Sequence, residues 1–557
     1  MQYLIYFSVT AIALVIWSLI NERNMMRKLR EQLKADWFTS PEEDYTSEKL
    51  SSLKEYYLSV KDERYDIDDI TWNDLDMDEL YRLINNTQSA IGEEYLYAFL
   101  RKPCFSREEL EERNRIMEFF QKDENSRLEL QLKLHQIGKL KTFSVYEYMN
   151  RLGEEKAESN LPHYLMALGL ILSFVLIFIQ PGLGSVCTVF FVGNNVFRYY
   201  KRKAKIEKYL AAFSYISRLL SNVNGIIKLD IPEINTYINS LKQDAVAFQR
   251  FQKGANLLVS GNPSGSLMDA IMDYIRILFH VDLIRYNSML SFFQKNREVL
   301  NRIHKTVGFL DSCLAAASFR DKLPYYCIPE LTRSNTPRVS VTGLYHPMLE
   351  TAVPNTITED CSVLITGSNA SGKSTFIKNL AINALLSQTI YTSVSKEYKA
   401  SYFIIFSSMA LRDSIFKNES YYIVEIKSLK RILDRVNKEI PTMVFIDEVL
   451  RGTNTLERIA ASSRILVSLA KMNTLCFAAT HDIELTHILE NYYSNYHFQE
   501  RIVGSQIQFD YKLYKGRAVS KNAIMLLSLL GYSQDIIQTA EKAAEDFMTN
   551  GEWKKIP

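Results

Sequence analysis

The sequence predicts a helical region followed by an α/β domain with a mostly parallel sheet, together with about three transmembrane helices. Three observations lead to this fold class. Short apolar strands alternate with helical segments after Pro329. Residues 205–320 have the apolar spacing of long helices. Two uncharged runs, 1–20 and 161–197, are long enough to cross a bilayer.

Composition sets broad limits on the class of protein. The 557 residues accommodate roughly three to five domains of ~100–200 residues each. The net charge of +2 argues neither for nor against a nucleic-acid partner. The six cysteines are scattered without a C-x-x-C pair, and H-E-x-x-H is absent. This pattern fits a reducing compartment and gives no zinc or disulfide signal.

The first uncharged run, residues 1–20, predicts a transmembrane anchor. Its basic residues follow the apolar stretch, at Arg23, Arg27, Lys28 and Arg30. A cleaved signal peptide would have them in front, so we expect an uncleaved anchor. The same charges place the following chain on the cytoplasmic side.

The second run, residues 161–197, predicts a membrane hairpin. Gln180-Pro-Gly-Leu-Gly184 divides it into arms of about 161–179 and 183–197. The basic stretch RYYKRKAK follows, so the chain returns to the cytoplasm. We therefore expect a multi-pass protein of the cell membrane. The second arm is short, and a re-entrant or interfacial hairpin remains an alternative. A less favoured alternative is that both uncharged runs form buried core helices of a soluble protein.

An acidic cytoplasmic linker is expected at residues 21–76. In residues 61–79, nine of nineteen side chains are Asp or Glu. Asp74, Asp76 and Asp78 alternate like calcium ligands. However, Glu79 and Asn85 stand where a calcium loop requires Gly and Glu, so we reject an EF-hand.

Two helical regions, 77–160 and 198–328, are expected to pack as a core. Ser106-Arg-Glu-Glu109 is a capping box that opens a helix through Phe120. Leu300, Ile303, Val307 and Leu310 lie on one face of a later helix. These stripes predict packing and carry no chemistry.

The predicted α/β domain covers residues 329–557. The first of its functional motifs along the chain is a phosphate-binding loop. Its expected strands are VSVTG, CSVLIT, SYFIIF, TMVFID and LCFAAT. CSVLIT runs into a G-x-x-x-x-G-K-S motif followed by a helix. Its two glycines let backbone N–H groups face phosphate oxygens, Lys373 reaches the β- and γ-phosphates, and the Ser374 hydroxyl ligates Mg²⁺. The expected nucleotide-binding residues are Gly367, Ser368, Asn369, Ala370, Ser371, Gly372, Lys373, Ser374 and Thr375.

Two later strands end in residues suited to ATP hydrolysis. TMVFIDE ends in Asp447, which would hold Mg²⁺, and Glu448, which would orient and deprotonate the attacking water. LCFAAT is followed by His481, placed to hydrogen-bond the γ-phosphate or the water. Each feature alone is weak, and their order at the ends of strands in one domain makes them strong together.

These motifs, in this order, resemble the MutS family of mismatch-repair ATPases, a branch of the ABC-type ATPases. The resembling stretches are TGSNASGKST (366–375), SYYIVE (420–425), FIDEVLRGTNT (445–455), ATHD (479–482), Tyr345-His-Pro347, Val353-Pro-Asn355 and residues 511–540. Gln88–Phe120 and Val307–Pro329 look like the helical core of that family. The resemblance covers about 85–160 and 205–545.

The resemblance implies a homodimer with composite ATP sites. Each site would use residues of one chain and Ser420 of the other, so that the nucleotide state sets the dimer geometry. The residues from the first chain would be Asn369, Lys373, Ser374, Asp447, Glu448 and His481.

The chain also departs from the family pattern. No room for the mismatch-reading domain is expected before residue 77, and we find no counterpart of the family's Phe-x-Glu wedge motif. The hairpin stands where the DNA-clamp helices would be inserted. Residues 518–523, AVSKNA, replace S-x-x-S-Y-G and leave the adenine and dimer contacts there in doubt.

The leading hypothesis is a membrane-anchored, MutS-like dimeric ATPase that moves helical arms, with DNA as a possible partner. Basic residues at 23–34 and 198–208 could meet phosphates, but membrane topology explains them better. An ABC-type transport ATPase is an alternative, although an LSGGQ signature is absent. An ATP-gated structural tether is another.

Overall fold

In a computed structural model of the protein, the chain folds into two compact units. The helical unit comprises Met1–Lys61, Tyr81–Arg101 and Glu111–Lys322, and the α/β unit comprises Asp62–Leu80, Lys102–Leu110 and Leu323–Pro557. The structure describes residues 2–39, 45–140, 144–155, 158–248, 274–334, 336–368, 371–409, 421–451, 453–503, 506–518, 531–550, 553 and 555.

Helices dominate the chain before the first strand. They include α1 Gln2–Asp36, α2 Ser47–Val60, α3 Asp69–Asp74, α4 Met77–Ile84, α5 Ala90–Arg101, α6 Arg107–Lys122, α7 Glu124–Ile137, α8 Val145–Glu154, α9 Leu161–Ile179, α10 Pro181–Ile226, α11 Asn235–Val246, α12 Val281–Lys295 and α13 Arg297–Lys322.

Strands and helices alternate after Lys322. In chain order they are β1 Glu330–Thr332, β2 Val339–Leu344, β3 Asn355–Glu359, β4 Ser362–Thr366, α14 Lys373–Thr389, β5 Glu397–Ser401, β6 Ile404–Ser408, α15 Tyr421–Arg435, β7 Thr442–Asp447, α16 Thr455–Ala470, β8 Thr474–Ala479, α17 Ile483–Ile488, β9 Tyr493–Val503, β10 Gln506–Lys515 and α18 Gln534–Asn550.

Helices α5 and α13 pack extensively against each other in the helical unit. The predicted stripe Leu300, Ile303, Val307 and Leu310 is fully buried on α13, which confirms it as core. The buried Asp311 carboxylate accepts hydrogen bonds from the N–H groups of residues 88 and 89 and from the Ser89 hydroxyl. The predicted helix at the capping box is also confirmed, because Ser106 Oγ accepts from the Glu109 N–H at the start of α6.

Helices α9 and α10 form an antiparallel hairpin that turns at Gln180. Near the turn, a Cβ on Gly184 would lie 2.4 Å from the Ile177 nitrogen, so glycine allows the two backbones this close approach. The Thr188 hydroxyl donates to Ser173 Oγ at 3.1 Å between the arms. The turn is tighter than the predicted five-residue break, because Pro181 already begins α10.

Helix α10 continues unbroken for 46 residues, through the predicted second arm and the basic stretch that follows it. Of the described residues, one helix, Leu161–Ile179, is both long and apolar enough to cross a membrane. Helix α1 covers the first uncharged run, of whose side chains few are described. All three predicted spans therefore stay predictions.

A six-stranded sheet organises the α/β unit, in the order β10-β9-β4-β8-β7-β6. The strands from β9 to β6 are parallel to their neighbours, and β10 is antiparallel to β9. Helix α14 packs against the central strands β7 and β8. The mixed helical and α/β architecture and the mostly parallel sheet agree with the sequence prediction.

Two predicted strands are placed differently from the expectation. VSVTG lies in β2, in a separate four-stranded sheet of order β1-β5-β2-β3. SYFIIF is divided between the end of β5 and the start of β6, and these two strands belong to different sheets. Both segments are short and apolar, and such a pattern identifies a buried strand without specifying its partner.

The expectation of a solvated acidic linker at 21–76 is wrong for its last part. Residues 62–80 belong to the α/β unit, and Trp72 and Leu75 are fully buried. Asp74 is only 2% exposed. Charge density suggested solvent exposure, whereas these carboxylates are paired with groups of the same unit. Residues 21–36 are also no linker, because they continue α1.

Candidate nucleotide-binding site

The phosphate-binding loop follows the fully buried strand β4. Gly367 has φ +151° and Gly372 has φ +104°, backbone conformations that favour glycine. A Cβ at Gly367 would lie 2.9 Å from both the Phe498 carbonyl oxygen and Ser371 Oγ. Gly372 directly precedes α14. The loop therefore brings the chain to a helix N-terminus, where N–H groups are available to an anion.

Lys373 lies at the first position of α14 with its side chain folded over the loop. Its Nζ donates to the carbonyl oxygens of Gly367 and Ser368, both at 2.8 Å. It also lies 3.4 Å from His481 Nε2. Burial lowers the pKa of Lys373, and the neighbouring carboxylates of Asp447 and Glu448 oppose this effect. The ammonium thus lies beside both predicted acidic residues.

Asp447 ends β7 with one carboxylate oxygen unsatisfied. Its Oδ1 is buried without a hydrogen-bond partner among the described residues, and its Oδ2 lies 3.6 Å from the Arg451 guanidinium. A buried carboxylate oxygen without a partner is costly and calls for a ligand or ion. An oxygen donor of this kind suits Mg²⁺, and the exposed Ser374 in the first turn of α14 offers a second. These residues fit a bound Mg²⁺.

Glu448 is held between two donors. Its Oε1 is 2.9 Å from His481 Nε2, and its Oε2 is 2.6 Å from Arg451 Nε. The hydrogen bond with His481, followed by the charge of Arg451, lowers the pKa of Glu448. Its backbone is left-handed, at φ +57°, and its N–H donates to the Ala479 carbonyl oxygen. Glu448 is thus a fixed carboxylate that stays ionised at neutral pH.

Two further carboxylates, Glu425 and Asp482, hold the loops around these residues through hydrogen bonds. The buried Glu425 of α15 accepts hydrogen bonds from the N–H groups of Leu450 and Arg451. Arg458 of α16 binds Asp482 through two hydrogen bonds of 2.6 and 2.9 Å. Glu425 and Asp482 therefore support the loops that carry Glu448 and His481.

A cavity of about 330 Å³ adjoins the phosphate-binding loop. Its lining includes Gly372 and Thr375 of the loop and Phe376, Val353, Asn355, Phe498, Tyr511 and His346. Burial and the nearby Lys378 lower the pKa of His346 to about 4, so this imidazole is neutral at pH 7. The mainly apolar and aromatic lining is typical of a small-molecule pocket.

The sequence-predicted residues therefore come together at the carboxyl ends of β4, β7 and β8. Lys373, Asp447, Glu448 and His481 lie in mutual contact or close to it. Asn369, Ala370 and Ser420 lie outside the described residues, as does most of the 518–523 stretch.

Some functional neighbours were missed by sequence reasoning. Arg451 received no role, although it pairs with Glu448 and lies near Asp447. Its position directly after the Asp-Glu pair was the available signal. Glu500 accepts a hydrogen bond from the Ser368 hydroxyl at 2.9 Å. No signal in the sequence indicated this contact, because Glu500 lies on β9, far along the chain from Ser368.

Comparison with known proteins gives a consistent match in this region. Residues 363–548 match MutS domain V. The chain is 32% identical over 267 residues to MutS protein homolog 4 of Mus musculus, covering 44% of this chain and 27% of that protein. It is 24% identical over 318 residues to DNA mismatch repair protein MSH3 of Candida albicans, covering 51% and 30%.

A bacterial relative matches similarly. DNA mismatch repair protein MutS of Thermotoga maritima is 27% identical over 271 residues, covering 47% of this chain and 33% of that protein. The chain thus spans about a third of the length of these curated relatives.

Proposed function

Because the chain belongs to the MutS family, we propose that it is a Mg²⁺-dependent ATPase that works as a homodimer. ATP binding and hydrolysis would drive a rearrangement of the helical unit. The observation that carries the proposal is the convergence of Lys373, Asp447, Glu448 and His481 around a glycine loop that opens a helix.

Each of these side chains has a role that its surroundings favour. Lys373 binds the β- and γ-phosphates, and Ser374 and Asp447 hold the metal. A bound Mg²⁺ would neutralise part of the negative charge of the phosphates. Glu448, ionised and fixed by His481 and Arg451, orients the attacking water and accepts its proton. The cavity lined by Phe376 and Tyr511 receives the adenosine end.

The family relationship supports the proposed dimeric arrangement. Ser420 of the partner chain would complete each site at the γ-phosphate. In this arrangement the presence of ATP favours one dimer geometry, and hydrolysis releases it.

We also propose that the hairpin α9–α10 attaches the protein to a membrane, with the ATPase in the cytoplasm. The support is an apolar surface open to solvent on both arms, with Phe178 90% and Val189 73% exposed. A soluble unit rarely exposes such a continuous apolar surface. The basic residues after Phe197 fit the cytoplasmic side of a bilayer.

DNA is the partner that the relatives' names suggest, and the basic clusters add little support for it. Arg30 and Lys34 of α1 are paired with Glu129 and Glu124 of α7. Arg202 of α10 is paired with Glu158. These basic side chains already have acidic partners within the helical unit.

Substitution of the two key residues tests the ATPase proposal. Lys373→Ala should abolish ATP binding, because it removes the only cation that we place on the β- and γ-phosphates. Glu448→Gln should bind ATP but lower kcat by about 100-fold or more, the usual loss for a general base. Nucleotide affinity and phosphate release are measured in detergent, with Lys399→Ala on the small sheet as the control. Wild-type turnover in Glu448→Gln would contradict the mechanism.

The same assay with DNA separates the candidate tasks. Stimulation of turnover by duplex DNA would support a clamp-like role, and preference for a mismatch would point to mismatch repair. Turnover indifferent to DNA would favour a membrane task, and ATP-dependent uptake into vesicles would favour transport. ATP binding with negligible turnover would favour a structural tether.

A further inference from the structure

The acidic segment Asp62–Leu80 contacts three elements of the nucleotide machinery. We propose that Asp68, Asp74 and Asp76 are positioning residues that hold β6, α15 and the phosphate-loop helix α14 in the arrangement needed for ATP hydrolysis. The inference rests on the proposed ATPase function and adds a segment distant in sequence from every nucleotide motif.

The first contact fixes the carboxyl end of β6, the edge strand of the main sheet. Asp74 Oδ2 accepts hydrogen bonds from the Ser407 hydroxyl at 2.7 Å and from the Met409 N–H at 2.9 Å. The Thr71 hydroxyl accepts from the Ser407 N–H at 3.1 Å. All three contacts are buried, so the donors would be left unsatisfied if the acceptors were lost.

The second contact reaches the loop of the catalytic glutamate through α15. Asp68 pairs with Arg431 at 3.0 Å and lies 3.6 Å from Arg435. Arg431 also donates to the Ser407 carbonyl oxygen. Six residues earlier on the same helix, Glu425 holds the N–H groups of the loop after Glu448. Asp68 therefore fixes the helix that supports the Glu448 loop.

The third contact is with the helix of the phosphate-binding loop. Asp76 Oδ2 lies 2.7 Å from Lys378 Nζ on α14, five residues after Lys373. Asp76 has a left-handed φ of +51°, a conformation that Asp adopts more readily than most residues. The pair is partly exposed and contributes to position more than to stability.

The three contacts together explain why an acid-rich segment is packed into the α/β unit. Burying carboxylates costs free energy unless charged or N–H donors compensate. Here Asp74 Oδ2 accepts from a hydroxyl and an N–H, and Asp68 Oδ1 accepts from Arg431. The donors belong to three different elements of the α/β unit, β6, α15 and α14. A role in general stability alone would not require the acids to reach all three elements.

The experiment compares Asp74→Asn with Asp62→Asn in the full-length protein in detergent. Asp62 lies in the same segment, but its carboxylate pairs with the exposed Arg64. We expect Asp74→Asn to lower kcat about tenfold or more through misplacement of the site, with nearly unchanged affinity for a fluorescent ATP analogue. We expect Asp62→Asn to match the wild type in both. Equal kcat in the two variants would overturn the inference.

A second variant covers the case in which Asp74→Asn does not fold. Ser407→Ala deletes one oxygen and removes the same hydrogen bond, and it should also lower kcat more than it changes ATP affinity. Wild-type kcat in Ser407→Ala would then overturn the inference. Where both variants fold, their effects should be non-additive, because they remove one interaction. Lys373→Ala, run in parallel, shows separately whether the site hydrolyses ATP at all.

Discussion

Asp447 and Glu448 are consecutive carboxylates with opposite surroundings. Asp447 has a buried oxygen without a described partner, and Glu448 has a hydrogen-bonding partner on each oxygen. Such a difference in environment assigns different tasks to neighbouring acids. The first is suited to a metal ion, and the second is suited to a water molecule whose position must be fixed.

Lys322, at the end of α13, offers a test of stability at the residue scale. Its buried Nζ has no hydrogen-bond partner among the described residues, and burial lowers its pKa from 10.5 to about 8. Lys322→Met should stabilise the helical unit by about 1–2 kcal/mol at pH 7, because it removes a charge that is poorly solvated in the fold. Hydrogen exchange of peptides from α13 measures the change.

The pH dependence of this gain has a definite sign. Between about pH 8 and 10.5 the unfolded chain binds more protons at Lys322 than the folded chain does. Wild-type stability from this group therefore rises with pH across that window, and the advantage of Met decreases. Lys242→Met, at an exposed position on α11, is the control. An equal gain at pH 7 and pH 10 would contradict the assignment.

At the scale of elements, Asn355 fastens β3 to the irregular part of β10. Its Nδ2 donates to the Tyr511 carbonyl oxygen at 3.0 Å, and its Oδ1 accepts from the Leu513 N–H at 2.8 Å. Tyr511 lines the cavity beside Gly372. Asn355→Ala should raise the KM for ATP by about tenfold with little change in kcat, because two hydrogen bonds of about 1 kcal/mol are lost.

Asn473→Ala provides the matched comparison. Its side chain donates to the Lys438 carbonyl oxygen in the same unit and does not line the cavity. It should leave KM unchanged. A fall in kcat instead of a rise in KM would show that Asn355 serves the reacting groups and not the binding pocket.

The elements also show what the sequence can and cannot predict. Lys373, Asp447 and His481 were found because strand ends of a parallel sheet meet at one edge, so a local motif implies a spatial neighbourhood. The sheet membership of β2 and the packing of residues 62–80 were missed. Both depend on partners far away in sequence, and neither periodicity nor charge density identifies them.

At the scale of the whole molecule, the hairpin makes a prediction about membrane attachment. Ile171→Asp with Val189→Asp, in protein lacking residues 1–20, should release the chain from vesicles in a flotation assay. Each aspartate near the middle of an arm costs about 3 kcal/mol in a bilayer. Both positions are exposed in the structure, so the fold itself should tolerate the change.

Leu456→Asp is the control for that assay. Leu456 is 79% exposed on α16, outside the hairpin, and its substitution should leave flotation unchanged. Flotation of the double aspartate variant at the level of the parent protein would contradict insertion of the hairpin.

The unbroken course of α10 has a consequence for assembly. At 1.5 Å per residue its 46 residues extend about 69 Å, from the apolar arm to the end of the helix at Ile226. With that arm in a bilayer, two chains meet by lateral diffusion, already facing the same way. The proposed pairing would then depend on the number of copies per area of membrane, and the proposed ATP turnover would become a measure of how densely the protein is gathered there.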